Sequence, residues 1–240
     1  MRKEEIKREV EKYYDERIKQ FSDEALALKE KRMRPLYEKV LEFVEIDHKT
    51  TVAIIGSSTG SLPLFVAPQA REVIGIDLSK ESLSFAMRRT TQLDITNIEY
   101  KKGDAEALPI ENNSVDVALS DCVINLVPDK RKAFNEIYRV LKTGGILIIA
   151  DPVRKRPLGE ISGEPVSGCI AGTVAKEDYM QMLEGAGFEN IEITDITDLA
   201  KKVFTGHEDK FEKYGLEYVI IKAAKPAKSS NTGCEIKEKS

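Results

Sequence analysis

The chain is expected to form a doubly wound α/β domain, with a mostly parallel seven-stranded sheet, an antiparallel closing hairpin and an N-terminal helical cover. Three observations predict this. Continuous apolar runs such as those at 52–55 and 145–150 suit strands buried on both faces. These runs alternate with stretches whose apolar residues recur at helical spacing, the pattern of a parallel sheet wrapped by helices. The last two strand-like stretches, 190–196 and 216–222, are joined by a polar connection and suit an antiparallel pair. The expected boundaries are 1–48 for the cover, 49–223 for the sheet domain and 224–240 for a polar tail.

The stretch 51–78 organises the rest. Val52 to Ile55 reads as the first strand and ends at a turn, Gly56-Ser57-Ser58-Thr59-Gly60, with glycines where backbone passes close to a ligand. The second strand, 72–76, ends in Asp77, about twenty residues past the turn. A carboxylate there, at the carboxyl edge of a parallel sheet, can hold both hydroxyls of a ribose. A nucleoside cofactor is therefore expected. The turn has Ser58 between its glycines and Ser61 where a G-x-G-x-x-G loop would place its last glycine, so it does not match a nicotinamide site.

Upstream, residues 2 to 46 read as helix, with Ile6, Val10, Tyr13, Tyr14, Ile18 and Phe21 on one stripe and a break near Ser22 and Asp23. Pro35 suits the first turn of a further helical segment. The stripe fits a cover packed on the sheet or a lid carrying Tyr13 or Tyr14 over the cofactor. Downstream, Ser79 caps a helix to Thr90 whose Leu83, Ala86 and Met87 face inward. Strand 98–101 leads to Gly103-Asp104, where Asp104 can accept a hydrogen bond from an adenine amino group. Strand 114–120 follows and delivers Asp121 and Cys122 to the carboxyl edge, where ligands sit in open α/β sheets. A helix from Asp129 to Leu141, stopped by Gly144, precedes strand 145–151. The segment 152–173 is long, irregular and carries Cys169, and loops of that length usually have a function. A helix over 175–186 leads to the closing pair. The tail beyond Ala223 is too polar to pack and is expected to be disordered, with Cys234 on it.

Charged residues are 32% of the chain and the net charge is only −4, which gives no footprint for nucleic acid or an acidic membrane. No apolar run approaches the roughly 20 residues of a membrane span, and the N-terminus lacks a signal-peptide core, so a cytoplasmic location is expected. Cys122, Cys169 and Cys234 are too few and too dispersed for a disulfide framework. Both histidines, His48 and His207, fall in connections and read as surface residues.

The glycine loop, Asp77, GDAEALP at 103–109 and YRVLKTGG at 138–145 together resemble the class I S-adenosylmethionine-dependent methyltransferases. The resemblance implies a Rossmann-like methyltransferase fold with S-adenosyl-L-methionine as cofactor. It places that cofactor on Gly56, Ser57, Ser58, Thr59, Gly60, Asp77, Leu78, Asp104, Ala105 and Ser120. Two departures stand out: Ile54 occupies a first-strand position where these enzymes commonly carry an acid, and Ser58 replaces the middle glycine. Within the superfamily, SDCVINLVPDK at 120–130 and SGCIAGTVAKEDYMQMLEGAGF at 167–188 resemble arsenite methyltransferases. That implies trivalent arsenic, as substrate, on Cys122 and Cys169, with a thiol reductant as partner. A third thiol would have to come from Cys234, because no cysteine precedes Cys122. Two other readings stay open: transfer to another small molecule such as a quinone-type ring or a thiol, and a non-catalytic cofactor- or metalloid-binding relative.

Overall fold

The computed structural model describes residues 2–155, 165, 168–206 and 208–227. Seven strands form one sheet: β1 (Thr51–Ile55), β2 (Glu72–Asp77), β3 (Ile98–Lys102), β4 (Val115–Asp121), β5 (Leu141–Arg154), β6 (Glu189–Asp195) and β7 (Leu216–Ala224). Their order is β3-β2-β1-β4-β5-β7-β6. The first five pair in parallel, and β7 inserts antiparallel between β5 and β6. The chain order reverses at β1 and β4, so the carboxyl ends of those two strands flank the crevice where such sheets take ligands.

The strands bury both faces by alternation. On β1, Val52 and Ile54 join one core while Ala53 and Ile55 join the other, as a period of two requires. The first core takes α2 (Asp23–Leu41), α3 (Ser61–Val66) and α7 (Thr197–Val203), through Met33, Leu36, Leu62 and Ala200. The second takes α5 (Lys130–Val140) and α6 (Lys176–Gly185), through Phe134, Ile137, Tyr179 and Leu183. Ile54 is therefore a core residue, 1% exposed.

Several expected details differ. Pro35 lies inside α2, which starts at Asp23 with Ser22 accepting from the Ala25 amide as its cap. An interior proline costs about 3 kcal/mol, and burial of Met33, Leu36, Tyr37 and Val40 on the same helix outweighs that cost. Met87, on α4 (Lys80–Gln92), is 53% exposed rather than inward, whereas Leu83 and Ala86 are buried. The helix expected to stop at Gly144 ends at Val140, because Leu141 already pairs with Val115 in the sheet. The polar connection of the closing pair contains α7 and α8 (Glu208–Lys213).

The cover begins with α1 (Lys3–Ile18), which buries only Val10 and Ile18. A row of polar contacts holds it against the carboxyl edge instead. Lys3 pairs with Asp129 at 2.6 Å, Lys7 with Asp104 at 2.7 Å and with Glu106 at 2.8 Å, and Glu11 with Lys102 at 2.6 Å. Asp15 accepts from the Ser79 hydroxyl at 2.6 Å. Among the described residues no helix is long and apolar enough to cross a membrane.

Candidate active site

A cavity of about 260 Å³ opens at the carboxyl edge, lined by the loop after β1, the ends of β2, β3 and β4, and the inner faces of α1 and α2. The amides of Gly56 and Ser57 both donate to the Ile76 carbonyl, at 2.7 and 2.9 Å, which clips the loop onto the end of β2. Gly56 has φ +76°, and a Cβ there would lie 2.1 Å from Val123 Cγ2, so this position needs glycine. Ser58 takes the left-handed conformation at φ +47° and turns its amide onto Asp77 Oδ2 at 2.8 Å. The Ser79 amide donates to Asp77 Oδ1 at 2.9 Å. Each Asp77 oxygen thus keeps acceptor capacity toward the cavity, and burial pushes its carboxyl above the usual range despite these two bonds.

Of the residues expected to meet a nucleoside, Gly56, Ser57, Ser58, Thr59, Asp77, Leu78, Asp104 and Ala105 line the cavity. Gly60 caps α3 just behind the wall, in the left-handed region at φ +81°. Ser120 sits within β4, 3% exposed, beside the cavity rather than on its wall. The buried hydroxyls of Ser57 and Ser120 lack partners among the described residues. Ser57, on the wall, thus has an unsatisfied polar atom to offer. Asp104 holds the Glu106 amide at 2.8 Å as well as Lys7. Burial lowers the affinity of Lys7 for its proton, but its bonds to Asp104 and Glu106 more than reverse this. The loop, the two acids and the apolar walls fit a ribose and an adenine.

Beyond β4 the chain turns through Cys122, a non-glycine residue in the left-handed region at φ +56°, fixed by its amide on the Ala150 carbonyl at 2.9 Å. Cys169 reaches back across 47 residues of sequence so that its Sγ donates to the Cys122 carbonyl at 3.1 Å. Both cysteines line the cavity. The hydrogen bond with the Cys169 thiol, then burial, pushes the Cys122 thiol well above its ordinary range. Tyr14 also lines the cavity, and burial with the neighbouring thiols raises its hydroxyl. Tyr13 turns outward, 40% exposed, with its ring edge-on to that of Tyr14.

Two carboxyls flank the thiols, Asp151 buried and Asp121 partly buried. The Tyr218 hydroxyl donates to Asp121 at 3.0 Å and the Tyr179 hydroxyl to Asp151 at 2.6 Å. Burial raises Asp121 to about 6 and Asp151 to about 7. Sequence reasoning named neither acid as a site residue, nor Lys7 and Lys29 of the cover. An acid beside a strand-end cysteine was a usable signal for Asp121, whereas nothing distinguishes Lys29 within a charged helix. His48 is exposed, while His207, Cys234 and most of the expected tail lie outside the described residues. Among the described residues no group of three or more His, Cys, Asp or Glu side chains could hold a metal ion.

The crevice at the strand-order reversal brings the glycine loop, Asp77 and Asp104 onto one cavity, the arrangement of a doubly wound α/β fold with its site at the carboxyl edge. Residues 46–187 match the family model described as "Methyltransferase domain". The chain belongs to that family, the methyltransferases. It is 34% identical over 185 residues to an arsenite methyltransferase of Halobacterium salinarum, covering 74% of this chain and 47% of that protein. It is 31% identical over 182 residues to phosphoethanolamine N-methyltransferase 1 of Arabidopsis thaliana, covering 73% of this chain and 37% of that one. The chain thus spans less than half the length of these curated relatives. Among solved structures, a Haemonchus contortus phosphoethanolamine N-methyltransferase 2 in complex with S-adenosyl-L-methionine superposes with a TM-score of 0.72 at 21% identity, over 86% of this chain and 58% of that one.

Proposed function

We propose that this methyltransferase transfers the methyl group of S-adenosyl-L-methionine to trivalent arsenic, arsenite or methylarsenite, held by Cys122 and Cys169. The observation that carries the reading is the meeting of these two thiols, distant in sequence, on the wall of the cofactor cavity. Similarity to an arsenite methyltransferase supports it, and similarity to phosphoethanolamine N-methyltransferases leaves the acceptor to be established by experiment.

The chemistry follows from the residues. When the thiols replace two hydroxyls of arsenite, each thiol proton leaves with a hydroxyl as water, so no separate base is needed. The arsenic lone pair then forms a bond to the methyl carbon while the carbon–sulfonium bond breaks and its electrons return to sulfur. Arsenic becomes pentavalent, and a thiol reductant supplies the electron pair that returns it to the trivalent state while being oxidised to a disulfide. The lone pair carries no proton, which suits a cavity with no histidine among the described residues that line it. What the chain contributes is position, which can account for about 7 to 11 kcal/mol of a barrier in well-oriented systems.

The test is mass spectrometry of products from a panel of acceptors incubated with S-adenosyl-L-methionine and a thiol reductant. Methylated arsenic is expected from the parent. One equivalent of arsenite should also protect Cys122 and Cys169 from alkylation together. Independent alkylation of the two, or full arsenic methylation by the double serine variant, would defeat the reading.

A further inference from the structure

On α2, Lys29 lines the cavity half-buried, its ammonium 5.3 Å from the Phe21 ring centroid, with no hydrogen bond or ion pair among the described residues. Burial holds its pKa below the ordinary lysine range, so the fold carries a cation at a desolvation cost that no protein carboxylate offsets directly. Asp121, which also lines the cavity, has the mirror deficiency. Oδ1 takes the Tyr218 hydroxyl, and Oδ2 has no hydrogen bond among the described residues. The two groups feel each other electrostatically, yet they form no ion pair. Of the other charged groups on the wall, Lys7 is engaged with Asp104 and Glu106 and Asp77 with two amides; Arg17 is unpaired among the described residues but exposed, its guanidinium 5.9 Å from the Tyr13 ring, so water can solvate it. Ile54, buried in β1, supplies no charge.

An unpaired cation and a half-satisfied acid, held apart on one wall, are complementary to a ligand that carries both charges on adjacent atoms. S-adenosyl-L-methionine ends in such a group, an α-carboxylate and an α-ammonium on one carbon, and its nucleoside end belongs on Asp77 and Asp104. We infer that Lys29 receives the α-carboxylate and Asp121 the α-ammonium of the cofactor, so that the helical cover and the end of β4 together clamp its amino-acid end. Lys29 and Asp121 then set the position of the sulfonium relative to Cys122, the residue that follows Asp121. The cover is thereby part of the cofactor site, because α2 supplies the half-buried cation that meets the carboxylate.

The inference rests on the S-adenosylmethionine reading, and titration calorimetry on the intact chain with three ligands separates the two. S-adenosylhomocysteine has both charges, decarboxylated S-adenosylmethionine only the ammonium, and 5′-methylthioadenosine neither. Lys29→Met should weaken S-adenosylhomocysteine about tenfold or more and leave the other two within about twofold of the parent. Asp121→Asn should weaken S-adenosylhomocysteine and the decarboxylated ligand alike and spare 5′-methylthioadenosine. The last ligand also reports whether each variant keeps its fold. Unchanged S-adenosylhomocysteine affinity in Lys29→Met, or equal losses for all three ligands, would overturn the assignment. If the parent bound none of the three, the cofactor reading itself would fail.

Discussion

The two ends of the cavity are built differently. At the nucleoside end the protein satisfies its own groups: the glycine-loop amides sit on Ile76, both Asp77 oxygens hold amides, and Asp104 holds Lys7. At the acceptor end, which on the readings above also takes the amino-acid group of the cofactor, they are left open: Lys29 has no hydrogen bond or ion pair among the described residues, Asp121 offers a free oxygen, Asp151 has an unpartnered Oδ1, and the two thiols have only each other and the Cys122 carbonyl. Preformed hydrogen bonds fix a shape before a ligand arrives, whereas open buried groups store a desolvation cost that a ligand relieves. The nucleoside end should therefore bind with little rearrangement, and the acceptor end should show the larger response to its ligand.

The sharpest way to break that comparison is at the thiols. Cys122→Ser and Cys169→Ser should each lower arsenic methylation by about a hundredfold or more, while S-adenosylhomocysteine affinity stays within about twofold, because on the proposed reading the thiols hold the acceptor and not the cofactor. Product mass spectrometry and calorimetry read the two effects separately. If cofactor affinity fell in step with methylation, the two ends would not be independent.

At the other end, Asp77→Ala removes the carboxylate that, on the proposed reading, holds the two ribose hydroxyls of the cofactor. It should cost about 1.5 to 3 kcal/mol of cofactor affinity, measured by calorimetry. It also strands the Ser58 and Ser79 amides, so the melting temperature should fall with it. Affinity within about twofold of the parent would remove Asp77 from the site.

The latch of the cover sits between the two ends. Lys7 is 13% exposed and bridges Asp104 to Glu106, whose side chain is 4% exposed. Lys7→Met would leave the Glu106 charge buried with only the Asp129 amide, and breaking such a pair costs about 3 kcal/mol. Denaturant unfolding should show a loss of that order. No loss would mean that α1 contributes little to the stability of this edge.

Much of this was readable from residue order. The alternation of apolar runs and helical stripes gives the sheet, and Asp77, Asp104 and Cys122 are identifiable because strand ends and glycine turns mark the carboxyl edge, whereas Cys169 stands out only through its long irregular loop and the resemblance of its segment to arsenite methyltransferases. What escaped reading depends on tertiary placement. Pro35 continues a helix because burial around Leu36 and Tyr37 overrides its local cost. Lys29 looks like any lysine until α2 lays it on the cavity. α7 had a usable signal in Ile196, Ala200 and Val203 at spacings of four and three, but in a connection too short and polar to stand out.

The open groups also predict a pH response. Burial raises Asp151 from its ordinary 3.8 to about 7, so between those values the folded chain holds a proton that the unfolded chain has released. By linkage this group's stabilisation is complete below about 3.8 and is lost as pH rises through about 7. Asp151→Asn keeps an acceptor for the Tyr179 hydroxyl and removes the titration. The melting temperature of the parent, relative to this variant, should therefore decline between about pH 4 and 7 and level off above that. A constant difference across that range would show that Asp151 does not titrate there.

The smallest effect belongs to Ser58, on the satisfied side. A serine in the left-handed region costs roughly 1 to 2 kcal/mol, and its amide is what reaches Asp77. Glycine adopts that conformation freely but loses about 0.5 to 1 kcal/mol through the greater freedom of the unfolded chain. Ser58→Gly should therefore stabilise the chain by a few tenths to about 1 kcal/mol. It should also tighten S-adenosylhomocysteine modestly by removing a side chain from the cavity wall. Weaker binding in calorimetry would show instead that the Ser58 hydroxyl contacts the cofactor. The nucleoside end would then share the acceptor end's dependence on its ligand.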